Sequence, residues 1–262
     1  MASDSIKKTI GVALGVCLVC SVLVSTAAVY LKPRQDDNRR IEKIKNILQA
    51  GDLLEEGKGV EEVYHERIKP VIVELKSGEL LDEAEYTSLL DPETFDIKTV
   101  VKYSDLRRNI PADKDIGKIK IQPKYMVIYN IVEDDSVTGY ILPLYGQGLW
   151  STMYGFIALT KDLKESRGFT FYEHGETPGL GGEVDNPSWK KQWVGKEIFD
   201  DNWKIKIEVL KGLVDPSKPE AVHQIDGLSG STLTTRGIDN LIKFWLGDEG
   251  YGPYFEKLRE DI

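Results

Sequence analysis

Cysteine is almost absent from this sequence, and the two that it has, Cys17 and Cys20, fall within one apolar stretch near the N-terminus. Residues 32–262 therefore contain none. That absence excludes disulfides, cysteine-ligated iron–sulfur clusters, cysteine-based zinc sites, CxxCH haem attachment and thiol nucleophiles from most of the chain. The C-x-x-C pair itself lies in an apolar run, where such side chains mostly act as small hydrophobic groups. Any redox chemistry in residues 32–262 must be carried by a group other than a thiolate.

Positive charge is also scarce. The chain has 34 Lys and Arg against 43 Asp and Glu, a formal net charge of −9, and no long basic run. Because nucleic acids are bound by basic surfaces, we expect no DNA or RNA partner. Histidine occurs only three times, which leaves few candidate metal ligands. Hydrophobic residues make up 41% of the chain, so a sizeable core is available.

The longest hydrophobic run extends from Thr9 to Leu31 and contains no charged residue, Pro, Asn or Gln. About 20 helical residues cross the hydrocarbon core of a bilayer, so this run is long enough to span one. A secretory signal peptide is the alternative, but its apolar core is usually only ~7–15 residues long. We therefore predict a membrane anchor over residues 1–31, followed by an amphipathic connecting helix over residues 32–55.

The charges that flank the span do not settle its orientation. Two lysines precede it, whereas four basic residues follow it: Lys32, Arg34, Arg39 and Arg40. A simple count of positive charges would place the large C-terminal part in the cytoplasm. Long domains, however, cross the membrane largely regardless of such charges. The residues alone leave the side of the membrane open.

Beyond the span, strand patterns prevail over helix patterns. We expect a strand pair over Val71–Leu81 and an apolar hairpin formed by YMVIYNIV and VTGYILPLYG, residues 125–132 and 137–146. Further strands are predicted at Tyr154–Leu159, Phe169–Tyr172, Lys204–Leu210 and Ala221–Ile225, with residues 98–120 exposed and irregular. The best helix is Thr235–Leu246, whose apolar residues recur at helical spacing. Strands followed by packing helices, without βα alternation, predict an α+β fold with an antiparallel sheet in one soluble domain over residues 56–262.

Two glycine-rich segments are candidates for a ligand site. The first, LYGQGLWS at 144–151, ends a strand, and its glycines let the backbone approach a flat ligand on which Trp150 can stack. A tight turn with a core tryptophan explains the same pattern. The second, YEHGETPGLGGE at 172–183, can wrap a ligand with main-chain amides. His174 and Glu176 are alternatively metal ligands, although no helical H-x-x-x-H spacing accompanies them.

The third glycine-rich segment, DGLSGSTLT at 226–234, precedes the predicted helix. Ser, Thr and Gly are preferred at helix starts, so a start signal alone explains it. A nucleophile elbow is excluded because Ser231 stands where G-x-S-x-G needs glycine, and a Walker A loop because no G-K-[ST] follows. The free amides and dipole of a helix start favour a phosphate there. A hydroxyl at the same place can itself be joined to that phosphate.

These segments carry a family resemblance. GQGLWSTMYGFIAL, TFYEHGETPGLGGEVDNPSWKKQWVGK and DGLSGSTLT resemble the C subunit of the sodium-translocating NADH:quinone reductase, and the likeness extends over nearly the whole chain. It implies an FMN-binding domain in which the flavin phosphate is joined by a phosphoester bond to the threonine of a D-x-x-S-G-A-T type motif. That threonine is Thr232, and Asp226, Ser229 and Gly230 match the motif. Ser231 stands where the family usually has Ala, and it offers a second hydroxyl for attachment.

With FMN in place, the first two segments are expected to line the flavin ring. Trp150 and Leu180 would contact it by packing, and Glu176 and Thr177 by hydrogen bonds. The other predicted cofactor-binding residues are Leu149, Gly181, Ser229, Gly230, Ser231 and Thr232 itself. A flavin would supply the redox function that a cysteine-free domain lacks.

By this resemblance the chain is an electron-carrier subunit of a sodium-pumping NADH:quinone oxidoreductase, distinct from the subunit that oxidises NADH. The resemblance implies a complex of six subunits in the bacterial inner membrane, a flavin transferase for maturation, and a soluble domain on the periplasmic side. The equivalent flavin subunit of an Rnf-type electron-transport complex is an alternative. A non-catalytic anchored scaffold would also fit the anchor, whereas a hydrolase lacks a base paired with a serine.

Overall fold

The computed structural model describes residues 5–260, and its contacts divide the chain into two units, residues 1–43 and 44–262. Helix α1 extends from Ile6 to Ala50 and is long and apolar enough to cross a membrane. Residues 6–31 of the predicted anchor and residues 32–50 of the predicted connecting helix thus lie in one continuous helix, with Pro33 inside it, whereas residues 51–55 are not helical. Residues 1–4 of the predicted anchor and 261–262 of the predicted domain lie outside the described residues.

The second unit is built on a five-stranded antiparallel sheet. In chain order the strands of the unit are β1 Ile68–Glu74, β2 Arg107–Asn109, β3 Ile121–Pro123, β4 Tyr125–Glu133, β5 Ser136–Gln147, β6 Thr152–Thr160, β7 Ser166–Glu173, β8 Glu208–Val209 and β9 Gln224–Ile225. The large sheet has the order β1-β4-β5-β6-β7, while β2 pairs with β3 and β8 pairs with β9. Strands β4 and β5 are buried on both faces, which explains why the sequence shows continuous apolar runs there.

Helices cover this sheet. They are α2 Val60–Arg67, α3 Ile97–Val100, α4 Pro187–Lys191, α5 Thr232–Leu246 and α6 Gly252–Glu260, with short 3-10 helices at Glu83–Glu85, Gly181–Asp185 and Pro219–His223. Residues 44–50, the end of α1, add Ile47 and Leu48 to the hydrophobic core of the same unit. The predicted α+β class, with an antiparallel sheet and packing helices, is confirmed.

Helix α5 lies close against strand β5, and this contact positions the candidate site. The indole Nε1 of Trp245 donates a hydrogen bond of 2.6 Å to the Tyr145 carbonyl oxygen. A Cβ atom on Gly237 would clash with the Gln147 carbonyl oxygen, so only glycine permits this approach. The start of α5 is therefore held beside the loop that follows β5.

Some local predictions are wrong. The strands expected at Lys204–Leu210 and Ala221–Ile225 shrink to the short parallel pair of β8 and β9. The chain before β8 is instead folded into a turn by Asp200, whose carboxylate accepts hydrogen bonds from two backbone N–H groups, and a 3-10 helix precedes β9. The region 98–120, expected to be irregular, includes strand β2, and the short helix α6 was not predicted.

Candidate functional site

Thr232 is the first residue of α5, and its side chain is exposed. The N-cap before it is Ser231, which is only 5% exposed and whose side chain caps no backbone N–H group. The first N–H groups of a helix have no partner within the helix and carry the positive end of its dipole. An accessible hydroxyl therefore lies at a place suited to a phosphate, and the neighbouring serine hydroxyl is buried.

The loop before α5 is closed onto the first turn of the helix. Thr235 Oγ1 accepts a hydrogen bond of 3.1 Å from the Leu228 N–H and donates one of 3.0 Å to the Ser231 carbonyl oxygen. Gly230, within this loop, has a left-handed φ of 71°. Both ends of the loop are thereby fixed relative to Thr232.

Asp226, at the start of the third segment, is held entirely by residues outside the motif. Its carboxylate accepts hydrogen bonds from the Val214 N–H at 2.7 Å and from Gln192 Nε2 at 3.0 Å. Its own N–H donates to Gln192 Oε1 at 2.9 Å, and its carbonyl oxygen accepts from Trp189 Nε1 at 2.9 Å. Asp226 is a structural anchor for the loop that leads to Thr232.

Glu176 joins all three glycine-rich segments. Its carboxylate accepts a hydrogen bond of 2.5 Å from the Thr234 hydroxyl in α5 and one of 3.0 Å from the Trp150 N–H in the loop after β5. The side chain is only 5% exposed. Segments that are far apart in the sequence therefore meet around one buried carboxylate.

His174 orients the second segment. Its Nδ1 accepts a hydrogen bond of 3.2 Å from the Glu176 N–H, and its Nε2 lies 2.9 Å from Asp185 Oδ2, so the network assigns the ring proton to Nε2. The hydrogen bond from His174 lowers the pKa of Asp185, and the charge of the nearby Lys190 acts in the same direction. Among residues 5–260 no group of three potential metal ligands converges, so the metal interpretation gains no support.

Apolar side chains are exposed around the first turn of α5. Trp150 is 68% exposed, so its interpretation as a core tryptophan is wrong; the buried tryptophans are Trp189, Trp193 and Trp245. Leu149, Leu180 and Leu233 are also exposed. A Cβ atom on Gly230 would lie 3.1 Å from Leu180 Cδ2, which places Leu180 against the third segment. This surface fits the flat, largely apolar ring system of a flavin.

The predicted cofactor-binding residues divide by accessibility. Those exposed are Leu149, Trp150, Thr177, Leu180, Ser229, Gly230 and Thr232, and those buried are Glu176, Gly181 and Ser231. Contacts of these residues with FMN stay a prediction. The exposed hydroxyl at a helix start, beside exposed apolar groups, is nevertheless the combination that a phosphate-linked flavin requires.

Two residues that build the site were missed in the sequence. Thr234 holds Glu176, and Gln192 holds Asp226 through two hydrogen bonds. A threonine at the third position of a helix beside a glutamate in a glycine-rich loop is a weak signal for the first pair. No local signal connects Gln192 with Asp226, because the two are 34 residues apart.

Comparison with known proteins gives consistent results. The FMN-binding domain family matches residues 148–247, which include all three segments from Gly148 onwards. The C subunit of the Na(+)-translocating NADH-quinone reductase of Pseudomonas aeruginosa is 45% identical over 260 residues, which cover 98% of this chain and 97% of that protein. The corresponding protein of Yersinia pestis is 43% identical over 98% of this chain and 95% of its own length. The crystal structure of Shewanella oneidensis NqrC superposes with a TM-score of 0.76 at 31% identity, covering 86% of this chain and 99% of that one.

Proposed function

The chain belongs to the family formed by the C subunits of Na(+)-translocating NADH-quinone reductases, and from this membership we propose that it is a membrane-anchored electron carrier with FMN covalently bound to Thr232. Within such a reductase, it would pass electrons between neighbouring subunits and would not itself oxidise NADH. The flavin supplies the one- and two-electron chemistry that the side chains of the cysteine-free domain lack. The residues of the chain hold and orient that group.

The exposed Thr232 hydroxyl at the start of α5, next to a buried Ser231, is the observation that carries the proposal. Thr232 Oγ1 would carry the phosphoester bond in place of its proton. The unpaired N–H groups of the first turn would donate hydrogen bonds to the remaining phosphate oxygens. The buried Ser231 hydroxyl would stay unmodified, although both residues bear the same functional group.

The exposed apolar side chains would hold the ring. Trp150 and Leu180 offer flat and branched apolar surfaces, and Leu149 adds to them. Thr177 is exposed and can hydrogen-bond a polar edge of the ring. Glu176 already uses both carboxylate oxygens for protein donors, so its contribution is to hold the Trp150 loop against α5.

The anchor and the complex complete the proposal. Helix α1 is long and apolar enough to cross a membrane, which would keep the flavin domain beside its partner proteins. We place the domain on the periplasmic side of a bacterial inner membrane, in a complex of six subunits, with maturation by a flavin transferase. The relatives described above are named as quinone reductase subunits and match nearly the full length of this chain, which favours this complex over the Rnf type.

The test is flavin fluorescence of the denatured full-length chain in a gel, after co-production with the flavin transferase. The wild type and Ser231→Ala should fluoresce equally, because the serine hydroxyl is buried and not used. Thr232→Val, which replaces the hydroxyl by a methyl group of similar size, should abolish fluorescence at equal protein amounts. Fluorescence that persists in Thr232→Val and disappears in Ser231→Ala would move the attachment to Ser231.

A further inference from the structure

Glu176 is an unusual residue to find at the centre of this site. Burying a carboxylate is unfavourable unless hydrogen bonds or a cation compensate its charge. Both oxygens accept from neutral donors, the Thr234 hydroxyl and the Trp150 N–H. Among the described residues, no Lys, Arg or His forms a salt bridge with it. A donor at each oxygen suits a carboxylate, which only accepts, so we take the site to contain a buried negative charge that has no salt-bridge partner among the described residues.

Two nearby glycines leave space for this carboxylate. A Cβ atom on Gly148 would lie 2.5 Å from Glu176 Oε1, and one on Gly181 would lie 2.8 Å from Glu176 Oε2. Side chains at either position would displace the carboxylate from its donors. The glycines of the first two segments therefore make room for Glu176, in addition to any role in ligand approach.

The charge also lies at the N-terminal end of α5. Thr234 belongs to the first turn of that helix, which begins at Thr232. The positive end of a helix dipole stabilises a nearby anion, and this partly compensates Glu176. The same turn would hold the flavin phosphate, and the exposed Trp150, whose N–H binds Glu176, would pack against the ring.

We propose that Glu176 is a positioning residue that also sets the reduction potential of the flavin by holding a fixed negative charge beside it. This inference rests on the proposed function. Adding an electron to a flavin adds negative charge, and a nearby anion in a poorly solvated site makes that addition less favourable. Glu176 therefore lowers the potential, while its hydrogen bonds to Trp150 and Thr234 fix its distance from the ring.

Glu176→Gln tests the charge at nearly constant shape. The amide can accept from the Trp150 N–H with its oxygen and donate to Thr234 Oγ1 with its nitrogen. With the full-length flavin-loaded chain in detergent, we expect covalent flavin to be retained and its midpoint potential to shift to a more positive value. Glu173→Gln is the control, since it removes the same charge from an exposed side chain three residues away that is paired with Lys98. Its shift should be clearly smaller.

Thr234→Val separates charge from structure. This variant leaves the carboxylate but removes one donor, so at an alkaline pH that keeps the group ionised its charge is less compensated and the potential should shift to a more negative value. A purely structural disturbance would move both variants in the same direction. The inference is overturned if Glu176→Gln shifts the potential no more than Glu173→Gln, or if Thr234→Val gives no shift or a positive one. Loss of covalent flavin from the wild type would instead contradict the proposed function.

Discussion

The hydroxyl of Thr234 donates a hydrogen bond of 2.5 Å to the buried carboxylate of Glu176, which lies 58 residues earlier in the chain. This bond connects the glycine-rich loop after β7 to the first turn of α5. Because Glu176 also binds the Trp150 N–H, it fixes the first turn, which carries Thr232, relative to the exposed tryptophan. The geometry of the site depends on this one buried group.

Thr234→Val should destabilise the chain, because the buried carboxylate loses a donor that water cannot easily replace. A lost hydrogen bond to a buried charged group is worth about 1–3 kcal/mol. Urea unfolding of the full-length chain in detergent would measure this loss of unfolding free energy. Thr177→Val serves as a control, since Thr177 is exposed, and should change the unfolding free energy by less than ~0.5 kcal/mol. Equal effects of the two variants would contradict this role of Thr234.

Gly181→Ala should also destabilise the chain. The new Cβ would lie 2.7 Å from Thr234 Oγ1 and 2.8 Å from Glu176 Oε2, closer than Cβ atoms approach other atoms in folded proteins. Overpacking of this kind costs about 1–3 kcal/mol, measured as a lower urea midpoint. Gly212→Ala is the control, because its Cβ would meet no atom within 4 Å. A Gly181 variant as stable as the Gly212 variant would show that the loop around Gly181 moves to accommodate the new Cβ atom without a loss of stability.

Gln192→Leu should reduce flavin attachment although Gln192 lies outside the motif. It would remove both hydrogen bonds that Gln192 makes to Asp226, leaving the loop before Thr232 less well fixed. In-gel flavin fluorescence per amount of protein should fall, with a stability loss of about 1–3 kcal/mol. Lys191→Ala, an exposed neighbour, should leave both quantities unchanged. Normal flavin attachment in Gln192→Leu would show that the hydrogen bonds between Gln192 and Asp226 are not needed for it.

Acid should weaken the contact between Glu249 and the β2 region. Lys114 and then Arg108 lower the pKa of Glu249 below its ordinary value of about 4.5. A carboxyl with a lowered folded-state pKa contributes stability that is complete above its unfolded pKa and is lost as the pH falls through the folded one. The wild type should therefore lose more stability than Glu249→Gln as the pH is lowered from neutral to below about 4.

The same titration on Glu260→Gln provides the comparison. Glu260 is exposed at the end of α6 and takes no part in the ion pairs of Glu249, so Glu260→Gln should lose as much stability in acid as the wild type. Parallel curves for the wild type and Glu249→Gln would contradict the ion pairs of 2.6 and 3.0 Å as a source of acid sensitivity.

The sequence predicted the elements whose pattern is local. The spacing of apolar residues predicted α5 from Thr235 to its last residue, Leu246, and missed only its first three residues. Long apolar runs predicted β4 and β5, because each pattern repeats over two or more turns or pleats. Helix α6 was missed, since its buried residues Tyr254 and Phe255 occupy a single turn. The short strands β8 and β9 depend on pairing with each other and not on their own sequence.

The sequence identified the segments that form the site, but not the contacts between their residues. Glycine and hydroxyl content marked the three segments, and Thr232 followed from the resemblance of the third. Whether Trp150 is buried and which group holds Glu176 both depend on how α5 packs against β5. Gly237 in α5 permits that packing, because a side chain there would clash with the Gln147 carbonyl oxygen. Such long-range contacts leave no periodic signal in a single sequence.

The most direct test of the account is intact-mass analysis of the full-length chain, followed by peptide mapping. The mass should exceed that of the unmodified chain by one FMN joined with loss of water, and fragmentation should place the added group on Thr232. An unmodified chain from cells that contain the flavin transferase, or an added group on any other residue, would contradict it.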